Sequence, residues 1–464
     1  MNYKGISFYL SLFCFPISIL AFLNILYSSY FDYFLSINSY VITLIVSLVA
    51  GSSLFLTGRK SKKKLSFIEQ LILVILIYLL VSFLIALPFY LSNYQVTFIN
   101  AIFESISGLT GTGFSIFLNI KYLDPTLIIW RSSSQWIGGL YFLFFLIFIF
   151  SNKQFNYKMT NLTFSGEGNI KELLLKIFIL YVVLSFFIFL LLNIFDVRMF
   201  NSLNLSMSLI SSGGFLPTNS LDKIIQTNTQ KIVFIFSLLI SLLNFFIILN
   251  IFEKKTMRRE HKEDFYLLSL SIILILLVYL NNYSGIDVII GVFSSLSNSG
   301  LSLLDSNNNL SLYFLLITLV GGSLISNTSG IKFLRIYILL KSASSEITKL
   351  ISPNSIINKN IFNSERKITN ENITISFLIF ISFIISLFVL CSILIFDNIS
   401  FEKSFKLSIL TLTNTMTSSM FGIENIDFAN LLTSSKLSLI MFMIIGKIEL
   451  ISIFLIIKKL FLKD

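Results

Sequence analysis

The chain has 464 residues, of which 55% are hydrophobic and only 12% charged, with a formal net charge of +11 at pH 7. Soluble domains carry about a quarter charged residues, so this chain cannot cover its own surface with polar side chains and lipid must cover it. One histidine, His261 in a charged loop, and two cysteines, Cys14 and Cys391 in apolar runs, argue against a disulfide framework and against zinc, haem or redox chemistry.

The first apolar run, Ile6 to Tyr27, lacks a small-residue cleavage site and a second run follows at once, so it reads as a retained span. Ten spans are predicted near 5–28, 40–57, 67–91, 125–151, 171–195, 229–252, 264–282, 310–343, 373–397 and 434–461, from apolar runs of roughly 20 residues or more. With the N-terminus inside, the Lys and Arg residues lie on the inner side or in the inner half of a span. The exceptions are Lys121, Arg131, Arg198, Lys223, Lys231, Lys403, Lys406 and Lys436. The runs Arg59 to Lys64 and Lys254 to Lys262 fall in inner loops. This bias fixes the orientation, with both termini cytoplasmic. The positive charge is therefore topological, and no nucleic-acid partner is expected.

After a leading hairpin (1–66), the other eight spans form four pairs, giving units at 67–160, 161–258, 259–350 and 351–464. Inside each pair the outer loop holds a segment too short and polar to cross a bilayer: 100–115, 200–215, 287–302 and 403–423. The first three share about ten residues of helical pattern, then Ser, Thr and Gly, then a turn glycine: Gly113, Gly214 and Gly300. Non-helical backbone at membrane depth survives where protein buries it or where it lines a water-filled path. Four hairpins entering from outside converge on one axis, and glycine permits the turn. Consecutive carbonyls then replace an ion's hydration shell, and the helix C-termini add partial negative charge. The expected fold is an all-α polytopic membrane protein with four helix–pore loop–helix units around a central cation pore. The candidate filter residues are Thr110, Gly111, Thr112 and Gly113, then Ser212, Gly213 and Gly214, then Asn298, Ser299 and Gly300.

Further residues stand out. Glu104 is a charge inside the first short helix, read as structural near the helix start. Trp130, Trp136 and the many Phe and Tyr residues read as interfacial belt and packing residues. Residues 310–343 are an apolar stretch about 51 Å long if helical, so a steep tilt or a break is needed. The Gly321–Gly330 run supplies the break and reads either as a flexible gate beneath the filter or as the polar end of an ordinary helix. Lys447 lies midway along the last apolar run, where lipid exposure costs about 2.5–3.5 kcal/mol. It is expected to face the pore, the alternative being pairing within the bundle. Glu449, two residues on, cannot face it on a helix.

These stretches resemble the TrkH/KtrB family of potassium uptake proteins. Phe103-Glu104-Ser105 with Thr110-Gly111-Thr112-Gly113-Phe114 is similar to the family's first filter. Trp130-Arg131-Ser132 with Gln135-Trp136-Ile137-Gly138-Gly139 is similar to its following span. Gly321-Gly322-Ser323 through Ser329-Gly330-Ile331-Lys332 resembles the interrupted span of the third repeat, and Gly446-Lys447-Ile448-Glu449-Leu450 resembles the G-R-x-E-L of the last span. The leading hairpin suits the TrkH branch.

The resemblance implies a fourth filter within Asn414, Thr415, Met416, Thr417 and Ser418, although repeat logic alone puts its turn at Gly422. It implies a gate at Gly321, Gly322, Gly330 and Lys447, with potassium bound at the filter residues as the transported ion and no organic cofactor. It further implies a bacterial inner-membrane location, a homodimer within membrane lipid, and a cytosolic nucleotide-binding regulatory subunit similar to TrkA. A glycine at Gly113, where plant sodium-preferring members carry serine, implies potassium. A sodium-conducting member of the superfamily and an organic-solute carrier with broken helices are the alternatives. An embedded enzyme would need clustered acids or histidines that the chain does not pattern.

Overall fold

The computed structural model describes residues 2–33, 37–61, 65–150, 170–245, 247, 262–280, 285–304, 310–353, 359–363, 367–423 and 426–448. His261, the basic residues at 62–64 and 254–259, Glu449 and Leu450 lie outside them. Fifteen α-helices form among the described residues. α1 (Tyr3–Tyr30) and α2 (Ile37–Gly58) make the leading hairpin. α3 (Phe67–Tyr90), α4 (Phe98–Thr110) and α5 (Pro125–Phe150) follow, then α6 (Ile170–Ile194), α7 (Met199–Ile210) and α8 (Asn228–Leu242). α9 (Lys262–Leu280), α10 (Ile286–Leu296), α11 (Ser311–Val320) and α12 (Phe333–Ile351) come next. α13 (Asn370–Phe396), α14 (Phe401–Leu412) and α15 (Thr433–Ile448) complete the chain.

Six of these, α1, α2, α3, α6, α9 and α13, are long and apolar enough to cross a membrane. Their starts are written in the sequence. Ser66 and Glu69 form a reciprocal capping box at α3, and Thr227 with Gln230 does the same at α8. Polarity is inverted relative to a soluble protein. Phe186 on α6, Leu276 on α9 and Phe388 on α13 are exposed, while Ser107, Asn204, Ser208, Ser294, Ser408 and Thr411 on the short helices are buried. Two of these hydroxyls bond back to a carbonyl one turn earlier, Ser408 to Ser404 O at 2.7 Å and Thr411 to Leu407 O at 2.7 Å, and Ser107, Ser208 and Ser294 pair with Phe114 O, Gln135 Oε1 and Ser299 Oγ, so they are buried without loss of a partner.

Each short helix packs on the span before it: α4 on α3, α7 on α6, α10 on α9 and α14 on α13. Each also packs on a helix of the unit before it: α7 on α5, α10 on α8, α14 on α11, and α4 on α15. The last of these contacts closes the arrangement into a ring.

One span follows expectation and one departs from it. The 310–343 stretch breaks between Val320 and Phe333, which removes the length mismatch. The span expected over 229–252 leaves the helix at Leu242, and Leu243 is extended (φ −79°, ψ 163°). The cause is the neighbouring break: Ser323 N–H donates to Leu242 O at 3.2 Å, and Phe245 N–H donates to Ile325 O at 3.1 Å.

Candidate functional site

The four short helices end alike. A residue in the left-handed region follows each one: Gly111 (φ 79°), Ser212 (φ 56°), Asn298 (φ 60°) and Asn414 (φ 48°). In the last three the next N–H reaches back over five residues, from Gly213 to Ser208 O (2.8 Å), Ser299 to Ser294 O (3.1 Å) and Thr415 to Leu410 O (2.9 Å), whereas after α4 it is Gly113 N–H that reaches back, to Ser107 O at 3.4 Å. This is the Schellman termination. Aligning the segments on the left-handed residue puts Gly113, Gly214, Gly300 and Met416 in register, two residues further on.

The packing around these four residues agrees with that register. A Cβ built on Gly300 would lie 2.4 Å from Met416 O. One on Gly214 would lie 2.4 Å from Met416 Cβ and 2.7 Å from Ser299 O, and one on Gly113 would lie 3.1 Å from both Gly214 Cα and Met416 Cβ. Four segments far apart in sequence thus meet at one place.

The expected filter residues differ in how the backbone places them. Gly422 is remote from this cluster: it follows the short turn Ser419–Phe421 and sits beside Lys406 and Ser311. Gly214 does not use the left-handed region, whereas Gly113 and Gly300 do. Tight approach rather than backbone freedom therefore requires the glycine at 214. Thr110 is still helical, its hydroxyl donating to Ile106 O at 2.7 Å and lying 2.7 Å from that of Thr112. Thr417 and Ser418 follow Met416 on the way out of the cluster, half-buried.

Side chains bind the segments to one another. Asn414 Nδ2 donates to Thr112 Oγ1 (2.9 Å) and Met443 O (2.9 Å); Asn298 Nδ2 donates to Thr318 O (2.8 Å) and Thr415 Oγ1 (3.2 Å). Glu104 is fully buried in the middle of α4, not near its start. It accepts from Arg131 Nε at 2.8 Å, Ile116 N–H at 2.8 Å and the Ser115 hydroxyl at 3.1 Å. Arg131 also lies 4.2 Å above the Phe215 ring, in the neighbouring segment. Gln135 on α5 accepts at its Oε1 from Ser208 Oγ (2.9 Å) and Phe215 N–H (3.1 Å), holding α7 to the segment that leaves it. Nothing in its spacing signalled this.

Beneath the cluster lies the broken span. Asn327 Nδ2 donates to Ile210 O, at the end of α7, at 2.7 Å. Lys447 is buried on α15, its ammonium donating to Asn327 O (3.0 Å) and Ser329 Oγ (3.3 Å). A Cβ on Gly111 would stand 3.8 Å from that nitrogen. Gly321 (φ 65°) and Gly330 (φ 76°) flank the loop, and a Cβ on Gly321 would lie 2.4 Å from Ser329 O, and one on Gly322 2.6 Å from Leu242 O. Leu324 N–H donates to Glu263 Oε1 at 2.8 Å. The loop is therefore bonded on several sides. Among the described residues no cluster of three or more His, Cys, Asp or Glu could hold a metal. The oxygens gathered at the cluster are those of backbone, hydroxyls and amides, suited to a weakly held monovalent cation.

The TrkH model, described as a cation transport protein, matches residues 36–280, more than half of the chain. The chain is 25% identical over 459 residues to an uncharacterized cation transporter of Methanocaldococcus jannaschii, covering 92% of this chain and 90% of that one. It is 25% identical over 448 residues to the Trk system potassium uptake protein TrkG of Escherichia coli, covering 89% and 90%. In fold it is similar to the crystal structure of the potassium transporter TrkH from Vibrio parahaemolyticus, with a TM-score of 0.88, 19% identity and 98% of each chain covered.

Proposed function

The chain belongs to the TrkH family of cation transport proteins, a multi-pass membrane family, and we propose that it takes up potassium through one pore whose filter is backbone at 111–113, 212–214, 298–300 and 414–416. The observation that carries this reading is the convergence of Gly113, Gly214, Gly300 and Met416 from four helix ends. Neutral carbonyls and hydroxyls can replace part of a potassium ion's hydration shell while binding weakly enough to release it. The negative ends of four helix dipoles adjoin the same place. Relatives named as potassium uptake proteins support potassium as the ion.

Gly321 to Gly330 and Lys447 form the proposed gate below the filter. A charge about 8 Å from a passing cation at an effective dielectric near 20 opposes it by roughly 2 kcal/mol. The excess of Lys and Arg in the inner loops supports an inner-membrane location with both termini cytoplasmic. A homodimer and a nucleotide-binding cytosolic partner remain part of the reading through the family resemblance. The test is growth of a strain lacking its own potassium uptake systems, at low potassium, with rubidium influx measured alongside. Rescue with influx above the empty-vector control is expected. A chain present in the membrane that gives neither would end the proposal.

A further inference from the structure

Lys332 begins where the loop ends, and its side chain turns back into it. The ammonium stands 2.5 Å from Thr328 O, 3.1 Å from Ser326 O and 3.3 Å from Ser323 O, with the hydroxyls of Thr328 at 3.1 Å and Ser326 at 3.3 Å. An ammonium has three donors, so five oxygens exceed one per hydrogen. The shell is that of a desolvated monovalent cation in a carbonyl and hydroxyl cage, the chemistry that channels use for potassium.

Two other observations point the same way. The Lys332 backbone lies in the left-handed region (φ 75°), which a residue with a long side chain occupies only where its surroundings over-determine it. The residue is 2% exposed, so its charge is out of water and those oxygens take part in its solvation. The Phe142 ring completes the enclosure at 5.7 Å, and Glu263 braces the same loop by accepting from Leu324 N–H at 2.8 Å.

We propose that the Lys332 ammonium is a tethered monovalent cation around which residues 321–330 are wound, and that vacating the cage leaves a site for a free cation of the ammonium and potassium class. The proposal rests on the loop's geometry and not on the transported ion, so its failure leaves potassium uptake standing, and failed uptake leaves it testable. The experiment compares backbone hydrogen exchange in 321–330 for the purified full chain and its Lys332→Met variant, in choline chloride and in ammonium chloride of equal ionic strength.

In choline the variant loop should exchange about tenfold faster than the parent loop or more. Ammonium should return it towards the parent value while changing the parent loop far less. Equal exchange in choline, or acceleration that ammonium does not reverse, overturns the proposal. If Lys332→Met does not fold, Lys332→Arg decides. Its planar fork keeps the charge but cannot be ringed at ammonium distances, so its loop should exchange faster than the parent's. Parent-like protection in the arginine variant overturns the tethered-cation role.

Discussion

Arg131 and Glu104 are both buried to within 1% of full enclosure and share the 2.8 Å contact. The pair also fixes two backbone segments, since Glu104 takes Ile116 N–H and Arg131 covers Phe215. Removing one member of a buried pair leaves the other charge uncompensated, a loss of about 3–5 kcal/mol. Arg131→Met should therefore lower thermal stability sharply, and adding Glu104→Gln should recover much of it. A double variant no more stable than Arg131→Met alone would show that the pair is not coupled. Lys447 differs in that, among the described residues, its ammonium meets the neutral oxygens of Asn327 and Ser329 and the Phe142 ring at 4.4 Å. Lys447→Gln keeps donors for Asn327 O and removes the charge. Cation influx should rise, by up to about 30-fold if the whole 2 kcal/mol barrier disappears. A folded variant no faster than the parent would remove the barrier role.

At the scale of the element, the spans and the broken helix were legible because each rests on composition over many residues. Runs such as 373–396 hold no charge, and the Gly321–Gly330 run is too polar and glycine-rich to continue a helix. The fourth register was not legible, because Met416 owes its place to a left-handed Asn414 and the bond from Thr415 N–H to Leu410 O, and neither has a glycine to mark it. Likewise the partners of Gln135, Ser208 and Phe215, come from a segment that only folding brings to it. Within the first segment, Gly113 combines φ 80° with a place where an added Cβ would stand 3.1 Å from Gly214 Cα and Met416 Cβ. A serine there strains the backbone and pushes the four segments apart. Gly113→Ser should lower the ratio of potassium to sodium influx while the protein still reaches the membrane. An unchanged ratio would move the filter elsewhere.

For the whole molecule, what matters is that the cluster draws on four segments far apart in the sequence. Gly113 and Met416 are 303 residues apart (416 minus 113), and the Asn414 bond to Thr112 joins the last unit to the first. An ion held there binds the folded chain and has no equivalent site in the unfolded one. Folded-state stability should then rise with ion concentration as RT ln(1 + [L]/Kd), reaching about 2.7 kcal/mol at a hundredfold excess over Kd. Screening of surface charges acts equally for all monovalent salts at one ionic strength, so comparing potassium, sodium and choline chlorides isolates the specific term. The midpoint of thermal unfolding should be highest in potassium, lower in sodium and lowest in choline. Gly113→Ser should narrow the gap between potassium and sodium, because the distorted ring no longer favours the larger ion. Superimposable melting curves in all three salts, from a chain that still transports, would mean that ions cross the cluster without resting in it, and a carbonyl-lined binding site would be the wrong description.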